Sequence, residues 1–218
     1  MKIFIIGITG AVGGLLAHNL LVRGDAVHGL VRRPDRRAEL ESSGVSVHLG
    51  DLATMAEEEL AAALGDADTV VFAAGSNAGS TDATRTIDGD GVELAILAAA
   101  RAGVRRFALL SVLPEAWRER NLSPEEEEYF AVKKRADIAL SRSDLDWLIL
   151  RPSLLVDDPG VGTVSLGAAE LHGQITRQDV AGVLAGLLHE PRIGRQILEL
   201  NEGTTPIAEA VRANIRRG

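Results

Sequence analysis

Close to its N-terminus the chain changes character twice. A strand-like run, Lys2-Ile3-Phe4-Ile5-Ile6, stops at Gly7-Ile8-Thr9-Gly10-Ala11-Val12-Gly13-Gly14, and Leu15-Leu16-Ala17-His18-Asn19-Leu20-Leu21 follows with helical spacing. A buried strand that breaks on glycines and restarts as a helix makes a cradle for a diphosphate. Gly7 permits a sharp turn, Gly10 lets the backbone approach phosphates without a Cβ in the way, and Gly13 lets the helix pack close to the strand. Unpaired N–H groups at the helix start then face the anion. The glycines are spaced G-x-x-G-x-x-G rather than G-x-G-x-x-G. A purely structural turn can use the same residues, so the rest of the chain has to discriminate.

It does so by alternation. Strand-like runs at 2–6, 26–31, 45–49, 69–73, 106–110 and 147–150 are separated by helical patterns at 12–23, 35–42, 55–64, 88–102 and 125–142. Thr54 with Glu57 and Ser123 with Glu126 fit the capping box, and Pro124 suits a first helical position. Gly24, Gly44, Gly65 and Gly103 fall where a left-handed residue ends a helix. This alternation predicts an α/β fold: a doubly wound, Rossmann-like parallel sheet covered on both faces. Beyond Pro152 the pattern loosens into a turn at 159–162, a short strand at 163–166, a helix at 176–188, a strand at 196–200 and a helix at 206–215. That remainder is too short for an independent catalytic domain. The expectation is one nucleotide-binding domain over 1–218, with 152–218 forming a small cap on the substrate side.

Composition narrows the partners. A formal net charge of -8 disfavours adhesion to nucleic acid or an anionic membrane. The absence of cysteine excludes disulfides, thiolate metal sites and a cysteine nucleophile. No apolar run approaches the length of a membrane span, and the run before Gly7 is too short for a signal peptide. A cytoplasmic protein acting on a small molecule is expected, with no nucleic acid or membrane partner, as a monomer or homodimer.

Four strand ends and one helix carry the chemistry. NAD-selective folds place an acidic residue at the end of the second strand. Here that strand ends in Val31-Arg32-Arg33-Pro34, and two guanidinium groups suit an adenosine 2′-phosphate. NADP(H) is therefore expected, with NAD(H) possible. Asp51, in Gly50-Asp51-Leu52, either accepts a hydrogen bond from adenine or serves as a turn residue. Ala73-Ala74-Gly75 are small enough to let the backbone meet a dinucleotide. Tyr129 and Lys133 stand four apart on one helical face, and Tyr129 is the only tyrosine. A phenol needs its anion favoured by roughly 4 kcal/mol to titrate near neutrality, and a neighbouring ammonium acts in that direction. Ser111, ending the fifth strand, could hold a substrate carbonyl or hydroxyl against the tyrosine.

Together these residues resemble the short-chain dehydrogenase/reductase superfamily, in its atypical and extended branches. The resemblance covers nearly the whole chain. It includes Asp88 through Gly91, Ala102-Gly103-Val104-Arg105-Arg106-Phe107, Leu145-Asp146-Trp147-Leu148-Ile149-Leu150-Arg151-Pro152 and Ile175-Thr176-Arg177-Gln178-Asp179-Val180-Ala181. The last two stretches are similar to small bacterial NAD(P)-binding proteins of the NAD-dependent epimerase/dehydratase-like and NmrA-like kinds. The resemblance implies that Gly7, Thr9, Gly10, Ala11, Val12 and Gly13 surround the diphosphate and that Arg32 and Arg33 meet the adenosine phosphate. It puts Asp51 and Leu52 by adenine, Ala73, Ala74 and Gly75 by the ribose, and Pro152 and Ser153 near the nicotinamide. Ser111, Tyr129 and Lys133 map onto the catalytic trio. The implied activity is NADP-dependent hydride transfer on a small carbonyl, alcohol or quinone/flavin-like compound. The alternatives are a non-catalytic redox sensor and an epimerase/dehydratase-like enzyme. Ser153 stands where relatives usually carry glycine, and the C-terminal part is smaller than in sugar-nucleotide epimerases. The substrate pocket is expected to draw its walls from 77–85 and 157–171.

Overall fold

A computed structural model describes residues 1–76, 80–116, 119 and 121–216. In chain order the elements are β1 (Lys2–Ile6), α1 (Ala11–Val22), β2 (Ala26–Val31), α2 (Arg37–Ser42), β3 (Ser46–Leu49), α3 (Glu57–Leu64), β4 (Thr69–Phe72), α4 (Thr81–Ala83), α5 (Gly91–Ala102), β5 (Arg106–Leu110), α6 (Pro124–Ser141), β6 (Asp146–Pro152), β7 (Leu154–Val156), β8 (Thr163–Gly167), β9 (Gln174–Thr176), α7 (Arg177–Leu188), β10 (Gln196–Glu202), β11 (Thr205–Pro206) and α8 (Ile207–Ala213). The main sheet runs β11-β8-β10-β6-β5-β4-β1-β2-β3, and β7 pairs with β9 in a separate ribbon. Strands β1 to β6 and β10 are parallel, whereas β8 runs antiparallel to β10 and β11. Beyond Pro152 the chain therefore splits between extending the main sheet and building the β7–β9 ribbon.

The central strands are largely apolar because helices cover both faces, with charged residues such as Lys2, Arg106 and Arg151 near their ends. On one face Leu16, Leu20, Val180, Leu184 and Leu187 bury against Ile3, Ile5 and Leu148. On the other, Leu60, Leu64, Val92, Ala95 and Leu140 bury against Phe4, Phe72, Phe107 and Leu109. Ser123 caps α6 as expected: its hydroxyl accepts the Glu126 N–H at 3.2 Å while the Glu126 carboxylate accepts the Ser123 N–H at 2.8 Å. No described helix is long and apolar enough to cross a membrane.

Two expectations are corrected. Thr54 does not cap α3; the helix starts two residues later, with Ala56 at the cap position and its N–H bound by Glu59 at 2.9 Å. Asp51 takes the preceding segment first, since its carboxylate accepts the Ala53 N–H at 3.0 Å and its carbonyl accepts the Thr54 and Met55 N–H groups. The helix expected from residue 88 begins earlier, as α4 followed by a π-helical stretch, Thr84–Asp90, that leads into α5. A π-helical segment inside a helix commonly re-aims a side chain at a functional site, and here it carries Asp88.

Candidate functional site

The order β4-β1-β2 reverses the direction of winding at β1, and the crevice outside the strand ends at such a point is where doubly wound sheets bind nucleotides. Gly7 closes β1 with φ +96°, and a Cβ there would lie 2.3 Å from the Ala74 nitrogen. A Cβ on Gly13 would lie 2.2 Å from the Gly7 carbonyl oxygen, so only glycine lets α1 sit this close to the turn. Gly10 donates its N–H to the Gly7 oxygen at 2.9 Å and stands at the α1 cap position, where no side chain satisfies the first-turn donors. Those N–H groups open onto a cleft of about 490 Å³.

Gly7, Thr9, Gly10, Ala11 and Val12 line this cleft, as do Arg32, Arg33, Asp51, Leu52, Ala73, Ala74 and Gly75. Gly13 lies behind the turn, in contact with Gly7 and Ile8. An uncapped helix start below a glycine turn, with two exposed guanidinium groups on the same cleft, fits a dinucleotide. Ser111, Tyr129 and Lys133 line the opposite end. Pro152 and Ser153 line a second cavity instead, and the Ser153 hydroxyl accepts the Gly173 N–H at 3.3 Å.

Tyr129 and Lys133 share a face of α6, but the lysine is engaged elsewhere. Lys133 is 3% exposed, and its Nζ lies 3.3 Å from Asp88 Oδ1 and 3.4 Å from the Leu110 carbonyl. Asp88 is equally buried, and its other oxygen accepts the Ser76 N–H at 2.9 Å. Burial raises the Tyr129 pKa above the ordinary tyrosine value, and the Asp88 charge pushes it the same way. The phenol is therefore a protonated group at neutral pH.

Ser111 stands beside a second buried acid. Asp137 holds Arg151 through Nε and Nη2, both at 2.9 Å, while its Oδ1 and the Ser111 hydroxyl are buried without a hydrogen bond of ordinary geometry. Burial raises the Asp137 pKa, and the nearby Ser111 hydroxyl and Arg151 guanidinium oppose that shift.

Because Tyr129 is the sole tyrosine, phenolate absorbance reports it alone. In wild-type protein the phenolate signal is expected only above the range of a free tyrosine. Asp88→Asn removes the negative neighbour, so the titration moves to lower pH; an unmoved midpoint would exclude the Asp88 charge as a cause.

The second cavity, about 440 Å³, meets the cleft at Ser111, Val112, Tyr129, Leu155 and Arg177. Its walls are largely apolar: Leu113, Ala116, Phe130, Pro152 and Leu154 join Val112 and Leu155, with Glu125, Glu126 and Glu128 from the first turns of α6. Of the walls expected at 77–85, Thr81 and Thr84 contribute, and residues 77–79 lie outside the described residues. None of 157–171 lines either cavity; His172 and Arg177 do so instead. Asp88 and Arg177 were not singled out as site residues, although both sit in stretches that carry the family resemblance.

Comparison with known proteins agrees with this geometry. A family model described as NAD(P)H-binding matches residues 7–191. A Bacillus subtilis protein described as the uncharacterized sugar epimerase YhfK is 39% identical over 215 residues, covering 97% of this chain and 99% of its own. A Bacillus halodurans structure, described as a candidate NAD-dependent epimerase/dehydratase, is 30% identical with a TM-score of 0.89, covering 98% and 99% of the two chains. ChuY, an anaerobilin reductase from Escherichia coli O157:H7, is 27% identical with a TM-score of 0.78, covering 93% of this chain and 97% of its own. A Rossmann-like sheet with a dinucleotide cleft at its switch point, matched along nearly its whole length, belongs to the NAD(P)H-binding family of oxidoreductase- and epimerase-like proteins.

Proposed function

We propose that this protein is an NADP(H)-dependent oxidoreductase acting on a small carbonyl compound held in the second cavity. The observation that carries the reading is the meeting of cleft and cavity at Ser111 and Tyr129. A dinucleotide held at the Gly7–Val12 turn with Arg32 and Arg33 would supply the hydride for the carbonyl carbon. Tyr129 gives its hydroxyl proton to the carbonyl oxygen, completing the alcohol, and regains a proton from water. Ser111 orients that oxygen against the phenol. Apolar walls keep competing water away from the reacting carbon. Arg32 and Arg33, both exposed on the cleft wall, favour a cofactor with a 2′-phosphate.

The test is cofactor oxidation with a panel of aldehydes and ketones. NADPH is expected to exceed NADH in kcat/KM by at least about tenfold, and the double variant Arg32→Ala/Arg33→Ala to lose that margin. Equal use of both cofactors by the wild type would sink the NADP assignment. A second reading, a sensor that binds the dinucleotide without turnover, draws on Lys133 being satisfied by Asp88 rather than by Tyr129. It predicts strong discrimination between oxidised and reduced cofactor in a calorimetric titration, with no oxidation of NADPH by any panel member.

A further inference from the structure

We propose that the second cavity takes an oxo acid, a carbonyl compound with one carboxylate close to the reacting carbon, and that Arg177 selects it. This deepens the oxidoreductase reading and rests on it. Arg177 is the first residue of α7 and lines both the cofactor cleft and the second cavity, as Ser111 and Tyr129 do. Among the described residues that line the second cavity it is the only lysine or arginine. Its side chain is 27% exposed and binds Asp157 through Nη1 alone, at 2.8 Å. Asp157 is itself 86% exposed, and so solvated a partner holds a guanidinium weakly. The Nε and Nη2 donors take no partner among the described residues, which leaves a planar fork able to donate two parallel hydrogen bonds to a carboxylate.

The backbone beneath this fork is fixed. The Thr176 hydroxyl accepts the Asp179 N–H at 3.0 Å, and the Asp179 carboxylate binds the Val161 and Gly162 N–H groups at 3.0 and 2.9 Å. The rest of the cavity argues for a single negative charge. Glu125, Glu126 and Glu128 face it from α6, against an apolar surface of Val112, Leu113 and Phe130. A nucleotide sugar would bring a diphosphate into a space whose described charged lining is one arginine and three carboxylates, with His172 beside them and Glu128 already paired to Arg85 and Arg135. An oxo acid places its one charge on Arg177, its carbonyl toward Ser111 and Tyr129, and its tail on the apolar wall. Hydride at the carbonyl carbon and the Tyr129 proton at the oxygen then give the hydroxy acid.

Benzoylformate and its methyl ester test this in the full-length protein with NADPH, since they share a carbonyl and a phenyl group and differ in charge. The acid is expected to exceed the ester in kcat/KM by at least about tenfold. Arg177→Gln should collapse that ratio, Arg177→Lys should restore part of it, and Asp157→Asn should raise it. An ester turned over as well as the acid by the wild type would overturn the proposal. So would an Arg177→Gln variant that loses NADPH affinity and keeps the ratio. Calorimetric titration of benzoylformate into the NADP+-loaded protein separates this proposal from the hydride reading. Binding that Arg177→Gln abolishes, without turnover of either ketone, supports the arginine site and removes the reductase. Turnover of the ester without benzoylformate binding does the opposite.

Discussion

Tyr129→Phe is expected to lower kcat for carbonyl reduction by about 10²- to 10⁴-fold, with NADPH affinity retained. The substitution removes one oxygen and keeps the ring that packs edge-on to Phe130, with 5.6 Å between centroids. Any large loss therefore belongs to the proton and not to packing. In the proposed reaction Tyr129 is the proton donor; it lines the junction of the two cavities, and its raised pKa keeps it protonated. The sign follows directly. A donor whose pKa lies above the ordinary value of about 10 is fully loaded through the neutral range, so reduction should show no loss of the donor between about pH 6 and 9. Alcohol oxidation needs the phenolate and should climb with pH across the same interval. Initial rates in both directions, measured across that range for wild type and Tyr129→Phe, check both statements. Undiminished reduction by the variant would remove the tyrosine from the mechanism.

The Asp88–Lys133 pair explains why the two directions should differ. Lys133 unpaired would favour the phenolate and so assist oxidation. Its ammonium faces the Asp88 carboxylate at 3.3 Å instead, and the Asp88 charge, added to burial, opposes ionisation of Tyr129. The resting site is thus arranged for giving a proton rather than taking one.

Which parts of this were legible in the sequence has a physical pattern. Strands 2–6 and 106–110 stand out because both faces of a central parallel strand are buried, leaving the apolar runs Ile3–Ile6 and Phe107–Leu110, whereas 26–31 keeps its signal despite the half-buried His28. The glycine turn was legible because its geometry has only one residue type as a solution: Gly7 and Gly13 each abut backbone within 2.3 Å of a notional Cβ. The Tyr129/Lys133 pair was legible as helical spacing. Thr54 misled because a side-chain competitor, Asp51, bonds to the backbone before the helix can start. The three-residue strands β7 and β9 are too short to show a period. Asp88 and Arg177 escaped for a different reason. Asp88 acquires its role from a lysine 45 residues away, and Arg177 from a cavity built by four other segments, so neither has a local pattern to read.

Arg106→Met is expected to destabilise the fold by about 3–5 kcal/mol without weakening the cofactor affinity of the folded protein. Arg106 opens β5, at the end of the sheet opposite Leu110 and Ser111, so it is remote from the cleft. It is 8% exposed, and its Nη2 donates to the carbonyls of Leu187, Glu190 and Ile193 at 3.1, 3.2 and 2.8 Å. Leu187 lies in the last turn of α7; its carbonyl also takes the Glu190 N–H at 3.2 Å and the Glu190 carbonyl takes the Ile193 N–H at 3.0 Å, so the guanidinium gives these two a second, charged donor and reaches the Ile193 carbonyl as well. Nη1 binds Asp146 at 2.6 Å, and that aspartate is paired directly across the sheet from Arg106. Methionine fills much of the volume but removes every charge-assisted hydrogen bond, leaving the Leu187 and Glu190 carbonyls with their backbone donors alone and the Ile193 carbonyl facing an apolar side chain. Each lost hydrogen bond to the charged guanidinium costs about 1.5–3 kcal/mol, reduced at the two carbonyls that keep a backbone donor and where water reaches Asp146, which is 41% exposed. The buried Nε of Arg106 has no partner among the described residues, and removing it returns a little of the loss. Arg106→Lys keeps the charge on Asp146 but cannot span three carbonyls, so it should fall between the two. Urea unfolding decides the matter: the midpoint should drop at unchanged m-value. A drop worth less than about 1 kcal/mol would mean that water replaces the arginine at the helix end, and the end of α7 would then owe its order to apolar burial alone.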